Sequence, residues 1–153
     1  RAQPRGPVEI APPWLDADQL NACVACGDCI KACPEDVLTA NASGRPVVTF
    51  EESGCTFCGE CASACPKDLF RPIDTVAWDL KVELSGACLL AQGVTCQLCT
   101  DFCDVEALRF DLSGGPVGGL ELDAEACTGC GMCIGSCPAD ALVVRASASG
   151  VAA

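Results

Sequence analysis

The 153-residue sequence contains no histidine and no tyrosine, and it has a single methionine. Without histidine, catalytic triads built on Ser-His or Cys-His pairs are excluded, as is most zinc, copper and non-haem iron chemistry. No run of 18 or more apolar residues occurs, so the sequence predicts no transmembrane segment. No nucleophile with a matching base can be identified, and we therefore expect a protein that is not an enzyme.

Basic residues are also scarce, since nine Lys and Arg residues stand against 21 Asp and Glu residues, for a formal charge of −12. A surface of this sign repels a phosphate backbone, so nucleic acid is not expected as a partner. The same charge suits docking on a basic patch of another protein. It is equally explained by the solubility that net charge gives to a small protein.

Cysteine, in contrast, is abundant. The 16 cysteines form four motifs, which are Cys23, Cys26, Cys29 and Cys33; Cys55, Cys58, Cys61 and Cys65; Cys88, Cys96, Cys99 and Cys103; and Cys127, Cys130, Cys133 and Cys137. Motifs one, two and four have the spacing C-x2-C-x2-C-x3-C-P, which is typical of iron–sulfur proteins. Zinc ribbons use two cysteine pairs with a long spacer, and disulfide frameworks do not require this repeat, so both are disfavoured.

The fourth cysteine of such a motif points away from its own loop, and in two-cluster ferredoxins it binds the cluster of the other motif. The sequence thus predicts four 4Fe-4S clusters with exchanged fourth ligands. Cluster one takes Cys23, Cys26, Cys29 and Cys65; cluster two takes Cys55, Cys58, Cys61 and Cys33; cluster three takes Cys88, Cys96, Cys99 and Cys137; cluster four takes Cys127, Cys130, Cys133 and Cys103.

The spacers between the motifs predict strand–turn–strand segments at residues 37–50 and 107–122 and a further strand at 142–145. Short helical segments are expected between the third and fourth cysteines. The predicted fold class is α+β, with two tandem bacterial ferredoxin-like modules that each bind two 4Fe-4S clusters and contain little regular secondary structure. We place an N-terminal extension at residues 1–18, the modules at 19–75 and 76–145, and a C-terminal tail at 146–153.

Motif three is irregular, because its spacing is C-x7-C-x2-C-x3-C and Asp104 follows it in place of proline. The long loop either changes the exposure of cluster three or is a tolerated insertion. Elsewhere, Trp14 is expected to pack on a module and Trp78 to lie in an interface core. Residues 114–119 are rich in glycine but lack a phosphate-loop lysine, which favours a turn.

Acidic residues gather around motifs one and three, where they form either a docking rim or an ordinary solvated surface. These residues are Asp16, Asp18, Glu35, Asp36, Asp101, Asp104 and Glu106.

The sequence resembles the NapF family, the ferredoxin-type proteins of the periplasmic nitrate reductase system. The resemblance runs from about residue 12 to 144, and its specific features are Pro12-Pro13-Trp14, Ala77-Trp78-Asp79-Leu80 and the C-x7-C spacing of motif three. It implies a cytoplasmic, non-catalytic iron–sulfur protein. Such a protein binds the precursor of the nitrate reductase catalytic subunit before export and assists its maturation by electron transfer, from a donor that the sequence does not identify.

Two other functions stay open at this point. One is an electron-transfer subunit of an oxidoreductase complex, such as a NapG-like quinol oxidation chain, in which motif two would be expanded. The other is a redox-sensing binding module with labile clusters. Thiolate-rich sites favour a reducing compartment, which agrees with a cytoplasmic location.

Overall fold

The computed structural model describes residues 9–146, which divide into two compact units. Unit 1 holds residues 9–49 and Phe57–Ala77, and unit 2 holds Phe50–Thr56 and residues 78–146. Most of the C-terminal tail and residues 1–8 of the N-terminal extension that the sequence predicts lie outside the described residues. The predicted module boundaries stay predictions.

Unit 1 combines short helices with one hairpin. Its elements are α1 (Ala17–Asn21), α2 (Asp28–Lys31), β1 (Leu38–Ala40), β2 (Pro46–Val48) and α3 (Glu60–Ser63). The two strands are antiparallel, with Leu38 opposite Val48. The side-chain oxygen of Asn41 accepts the amides of Ser43 and Arg45 and so closes the turn between them. Helix α2 packs against α3 and against β1, which places motifs one and two side by side.

Trp14 anchors the end of unit 1. Its side chain is only 3% exposed, its ring meets Phe57 edge to face, and its indole N–H donates to the carbonyl of Thr75 over 2.9 Å. The backbone of Trp14 adds two bonds, donating to Ala77 and accepting from Arg71. The expectation that Trp14 packs on a module is confirmed.

Unit 2 carries most of the strands. Its elements are β3 (Leu80–Leu84), α4 (Leu98–Asp101), β4 (Leu108–Asp111), β5 (Gly119–Leu122), α5 (Met132–Gly135) and β6 (Leu142–Ala146), with a 3-10 turn at Leu90–Gln92. Strands β4 and β5 form a hairpin, while β3 pairs antiparallel with β6. The core between them contains Val82, Leu108 and Leu142 packed around Cys127 and Cys133.

Residues Phe50–Thr56 belong to unit 2 by their contacts. Phe50 meets Trp78 edge to face at 6.2 Å, and the Cys55 amide donates to the carbonyl of Cys130 over 2.7 Å. Trp78 also donates its indole N–H to the carbonyl of Thr128. The side chain of Trp78 is half-buried. The expectation that it lies in an interface core stays a prediction.

The strands expected from the spacers are confirmed, as are the turn at residues 114–119 and the low content of regular structure. The sequence prediction missed β3, although Leu80, Val82 and Leu84 alternate with Lys81 and Glu83 as a half-buried strand requires. The predicted helices exist but begin one residue before the third cysteine of each motif. Among residues 9–146, no helix has the length and apolar character needed to cross a membrane.

Two glycines at equivalent motif positions, one in each unit, differ in how closely other atoms pack against them. Gly27 and Gly131 both follow the second cysteine of their motif, with φ angles of +78° and +81°. A Cβ at Gly27 would meet no atom within 4 Å, whereas a Cβ at Gly131 would come within 3 Å of the Phe50 ring.

We expect Gly27→Ala to lower the free energy of unfolding by about 1–2 kcal/mol, through the left-handed backbone alone. Gly131→Ala should lower it by about 1–3 kcal/mol more, because the ring of Phe50 must also move. Denaturant titration of the two variants beside the parent protein measures the difference. Equal losses in the two variants would contradict the close packing at Gly131.

Candidate iron–sulfur centres

The loops of motifs one, two and four share an unusual backbone. The residues before the second cysteine are Ala25, Phe57 and Gly129, with φ of 55°, 55° and 73°, and the residues after it are Gly27, Gly59 and Gly131, with φ of 78°, 79° and 81°. Left-handed residues in a tight turn direct successive backbone N–H groups toward one concave side, which suits a negatively charged group. The three loops are therefore shaped to receive an anionic iron–sulfur core.

Sequence analysis missed this feature at Ala25 and Phe57, because neither residue type favours a positive φ. The signal that would have found it is the repeat itself. Gly129 occupies the same place in motif four, and glycine is the residue expected where the chain takes this conformation.

The helices set the depth of each cysteine. The third cysteines Cys29, Cys61 and Cys133 lie in α2, α3 and α5 and are buried, whereas Cys26 and Cys58 on the loops are exposed. The fourth cysteine of every motif closes the helix with the same turn, since its amide donates to the carbonyl three residues earlier. Packing of α2 on α3 and of α4 on α5 thus carries each fourth cysteine toward the neighbouring motif.

One cavity in unit 2 collects a complete predicted ligand set. Its wall contains Cys103, Cys127, Cys130 and Cys133, the four residues predicted for cluster four, together with Val82, Leu108 and other apolar side chains. Cys103 comes from motif three and the other three cysteines come from motif four. The cavity therefore brings together cysteines of two motifs, as an exchanged fourth ligand requires.

The charge neighbours of Cys99 also come from two motifs. Burial, followed by the neighbouring negative charges of Cys137, Cys88 and Cys96, raises the pKa of Cys99 to about 11. These four are the residues predicted for cluster three. Burial likewise raises the pKa of Cys133 to about 12, with Cys130 the next cause.

In unit 1, burial raises the pKa of Cys29 to about 11, and Cys23 follows as the second cause. Cys33 and Cys65 follow the packed helices α2 and α3. Of the residues predicted for cluster two, Cys55 groups with unit 2, while Cys58, Cys61 and Cys33 group with unit 1. Among residues 9–146, no three cysteine or carboxylate side chains converge on one metal ion.

Backbone amides also reach the sulfur atoms. Ala25 donates its N–H to Sγ of Cys23 over 3.4 Å, and Ala141 donates to Sγ of Cys137 over 3.3 Å. In iron–sulfur proteins such hydrogen bonds to the ligand sulfur tune the reduction potential of the cluster. The chain can therefore adjust the potential of a bound cluster through its backbone.

Motif three departs from the other loops in its backbone and exposure. Gln97, which corresponds to Gly27, has φ −138°, and the left-handed residue is instead Gly93, after the 3-10 turn. Cys99 is half-buried, whereas its counterparts in the other motifs are buried. Of the two interpretations of the long loop, this favours altered exposure.

The replacement of proline by Asp104 leaves the turn after motif three intact. Glu106 has φ 51° and donates its amide to the carbonyl of Cys103 over 2.9 Å. Asp36, Asp68 and Asp140 make the same bond to the fourth cysteine of their own motifs. The turn is a property of all four motifs and does not depend on proline.

Comparison with known proteins agrees with this geometry. Residues 22–69 and 94–141 each match the family of 4Fe-4S dicluster domains. The chain is 39% identical to the ferredoxin-type protein NapF of Haemophilus influenzae over 140 residues. This alignment covers 90% of this chain and 80% of that protein. It is 40% identical over 138 residues to the ferredoxin-type protein NapF of Escherichia coli K12, covering 89% of this chain and 84% of that protein.

The chain belongs to the NapF family of ferredoxin-type proteins. It is also 30% identical over 156 residues to the methylamine utilization ferredoxin-type protein MauM of Methylophilus methylotrophus. That alignment covers 89% of this chain and 69% of MauM. The resemblance to NapF is thus confirmed. Two dicluster domains in tandem with sixteen cysteines fit four 4Fe-4S clusters.

The raised pKa values of Cys29, Cys99 and Cys133 predict that iron uptake depends on pH. These thiols are protonated at neutral pH in the metal-free sites and must lose protons to bind iron, so rising pH favours binding up to about pH 11–12. We expect affinity to rise by about tenfold per pH unit for each proton released. Anaerobic reconstitution with iron and sulfide between about pH 7 and pH 9, followed by iron analysis, checks this. Uptake that is independent of pH would contradict it.

Proposed function

We propose that this chain is a cytoplasmic accessory protein of the periplasmic nitrate reductase. It binds the precursor of the catalytic subunit before export and assists its maturation by electron transfer. The main support for this proposal is membership of the NapF family, because it associates the cysteine motifs with the periplasmic nitrate reductase system. The supporting chemistry is non-catalytic, since the site residues are thiols that hold clusters.

The ligand sets that we propose exchange the fourth cysteine within each pair of motifs. Clusters one and two use motifs one and two, and clusters three and four use motifs three and four, in the sets given above. The cavity around Cys103, Cys127, Cys130 and Cys133 supports this for cluster four. The charge neighbours of Cys99 support it for cluster three. Each module, at residues 19–75 and 76–145, then holds two clusters.

Once bound, a 4Fe-4S cluster accepts or gives up single electrons. The residues of the chain hold the cluster, tune its potential and shield it from water. The cysteines hold the iron, the left-handed loops aim N–H groups at the core, and amides such as that of Ala141 bond to the ligand sulfur. Aliphatic residues such as Val82 and Leu108 exclude water from the cluster-four cavity. The exposed second cysteines Cys26 and Cys58 leave clusters one and two nearer to solvent.

The compact spacing of motif two favours this function over a NapG-like subunit of a quinol oxidation chain, in which that motif would be expanded. A cytoplasmic location agrees with sixteen cysteines in thiolate form, which an oxidising compartment would threaten.

Paired substitutions test the exchange of ligands in unit 2. With exchanged ligands, Cys103→Ala and Cys127→Ala together remove ligands from one cluster, whereas Cys103→Ala and Cys99→Ala together remove ligands from two. We expect about 12 iron atoms per chain for the first pair and about 8 for the second, against about 16 in the parent protein. Iron and sulfide analysis of anaerobically purified protein measures this. The reverse order would show that each motif keeps its own fourth cysteine.

Association with nitrate reductase tests the proposed role directly. The cluster-loaded chain should retain the unexported precursor of the catalytic subunit in an anaerobic pull-down, and removal of iron with a chelator should abolish this retention because the fold depends on metal. The mature, exported catalytic subunit serves as the comparison. The proposal fails if the precursor never associates with the loaded chain.

A further inference from the structure

An exposed apolar face lies on motif three. Leu98, Phe102 and Val105 are 43%, 50% and 44% exposed. Leu98 begins α4 and Phe102 is the C-cap residue one helical turn later, so their side chains share one side of the helix. Val105 follows in the turn that Glu106 closes on Cys103, and it lines the cluster-four cavity together with Phe102. These three residues form what we call the motif-three face.

The internal repeat shows that the fold does not require apolar residues at these positions. The corresponding residues in motifs one, two and four are Asp28, Glu60 and Met132 for Leu98; Ala32, Ala64 and Ser136 for Phe102; and Glu35, Lys67 and Ala139 for Val105. Those motifs make the same turn after the fourth cysteine with side chains that are mostly small or charged. Large apolar side chains in water at motif three therefore need another explanation, and binding is the usual one.

Acidic residues are interleaved with the motif-three face. Asp101, Asp104 and Glu106 alternate with its apolar positions along the chain, and all three are exposed. A second copy of this chain would bring the same acidic residues and a formal charge of −12 against them, and an anionic membrane surface would be repelled in the same way. A partner with basic residues around an apolar anchor satisfies both the charge and the apolar surface.

We propose that the motif-three face is a docking site for a partner protein segment that presents apolar side chains flanked by Lys and Arg. The inference rests on the proposed function to the extent that the segment belongs to the redox partner of the chain. Since Phe102 and Val105 form part of the wall around Cys103, Cys127, Cys130 and Cys133, a partner docked there lies beside the proposed cluster four. Motif three thus gains a recognition role that the other motifs lack.

Binding to a synthetic peptide tests the face without knowledge of the natural partner. The probe is a fluorescein-labelled amphipathic helix of Leu and Lys, and its comparison peptide has Glu in place of every Lys. We expect the cluster-loaded chain to bind the Leu/Lys peptide, and Phe102→Ala with Val105→Ala to weaken binding by about tenfold or more. Two variants at exposed apolar residues outside motif three, Val76→Ala and Leu112→Ala, should bind as the parent does.

Two further variants separate docking from loss of cluster four. Leu98 does not line the cavity, so Leu98→Ala should weaken peptide binding by several-fold while the iron content stays at the parental value. Asp101→Lys with Asp104→Lys should weaken binding and reduce its dependence on salt, because fewer opposite charges remain to be screened.

Three results would overturn the docking site. They are parental affinity in the Phe102→Ala/Val105→Ala protein, equal binding of the Leu/Lys and Leu/Glu peptides, and failure of the parent chain to bind the Leu/Lys peptide. A dimer of the parent chain in sedimentation that Leu98→Ala dissociates would instead assign the face to self-association and also overturn it. The peptide result does not depend on the nitrate reductase pull-down, so each proposal can fail by itself.

Discussion

The gathering of cysteines from separate loops into the same small region is the constraint on which the rest of this structure depends. In the described part of the chain, the α-helices contain only four or five residues and each sheet has two strands, sizes at which neither element is stable alone in water. Cys29, Cys61, Cys127 and Cys133 are buried with the aliphatic residues, so the proposed ligands are also part of the core. We therefore expect metal binding and folding to be coupled, with much of the stability coming from iron–thiolate bonds.

Motif three shows which parts of a cysteine motif can vary while its cysteines stay close together. Its loop is longer than the others, lacks the left-handed residue after the second cysteine, and is followed by Asp104 instead of proline. Cys99 nevertheless has Cys88, Cys96 and Cys137 as charge neighbours. What the structure preserves is the proximity of the four cysteines and the turn after the fourth cysteine. The loop between the first two cysteines is free to vary in length and exposure.

The features that the sequence predicts well are local. Cysteine spacing indicated the iron–sulfur class and the NapF resemblance, and short apolar runs around Asn41 and Gly114 indicated two hairpins whose strands are close in the chain. The pairing of β3 with β6 was missed because Leu80 and Ala146 are far apart in sequence, and a single strand pattern does not name its partner. The contacts of Phe50–Thr56 in unit 2 are equally non-local, since they depend on Phe50 meeting Trp78.

The candidate site divides in the same way. The cysteines themselves were identified from their spacing, while the left-handed conformations of Ala25 and Phe57 and the exposure of Phe102 depend on the folded backbone. No local signal marks Ala or Phe for a positive φ, and an apolar residue beside a cysteine is as compatible with a core position as with a surface one.

The placement of the two tryptophans gives the protein a built-in optical label for each unit. The chain has no tyrosine, so Trp14 in unit 1 and Trp78 in unit 2 account for nearly all its ultraviolet fluorescence. Trp14 is 3% exposed in an apolar setting, and Trp78 is half-buried with its indole N–H bonded to a carbonyl. Because the two rings differ in solvent exposure, they should differ in emission. Replacement of either Trp14 or Trp78 by phenylalanine leaves a spectrum that reports on a single unit as it gains or loses its clusters.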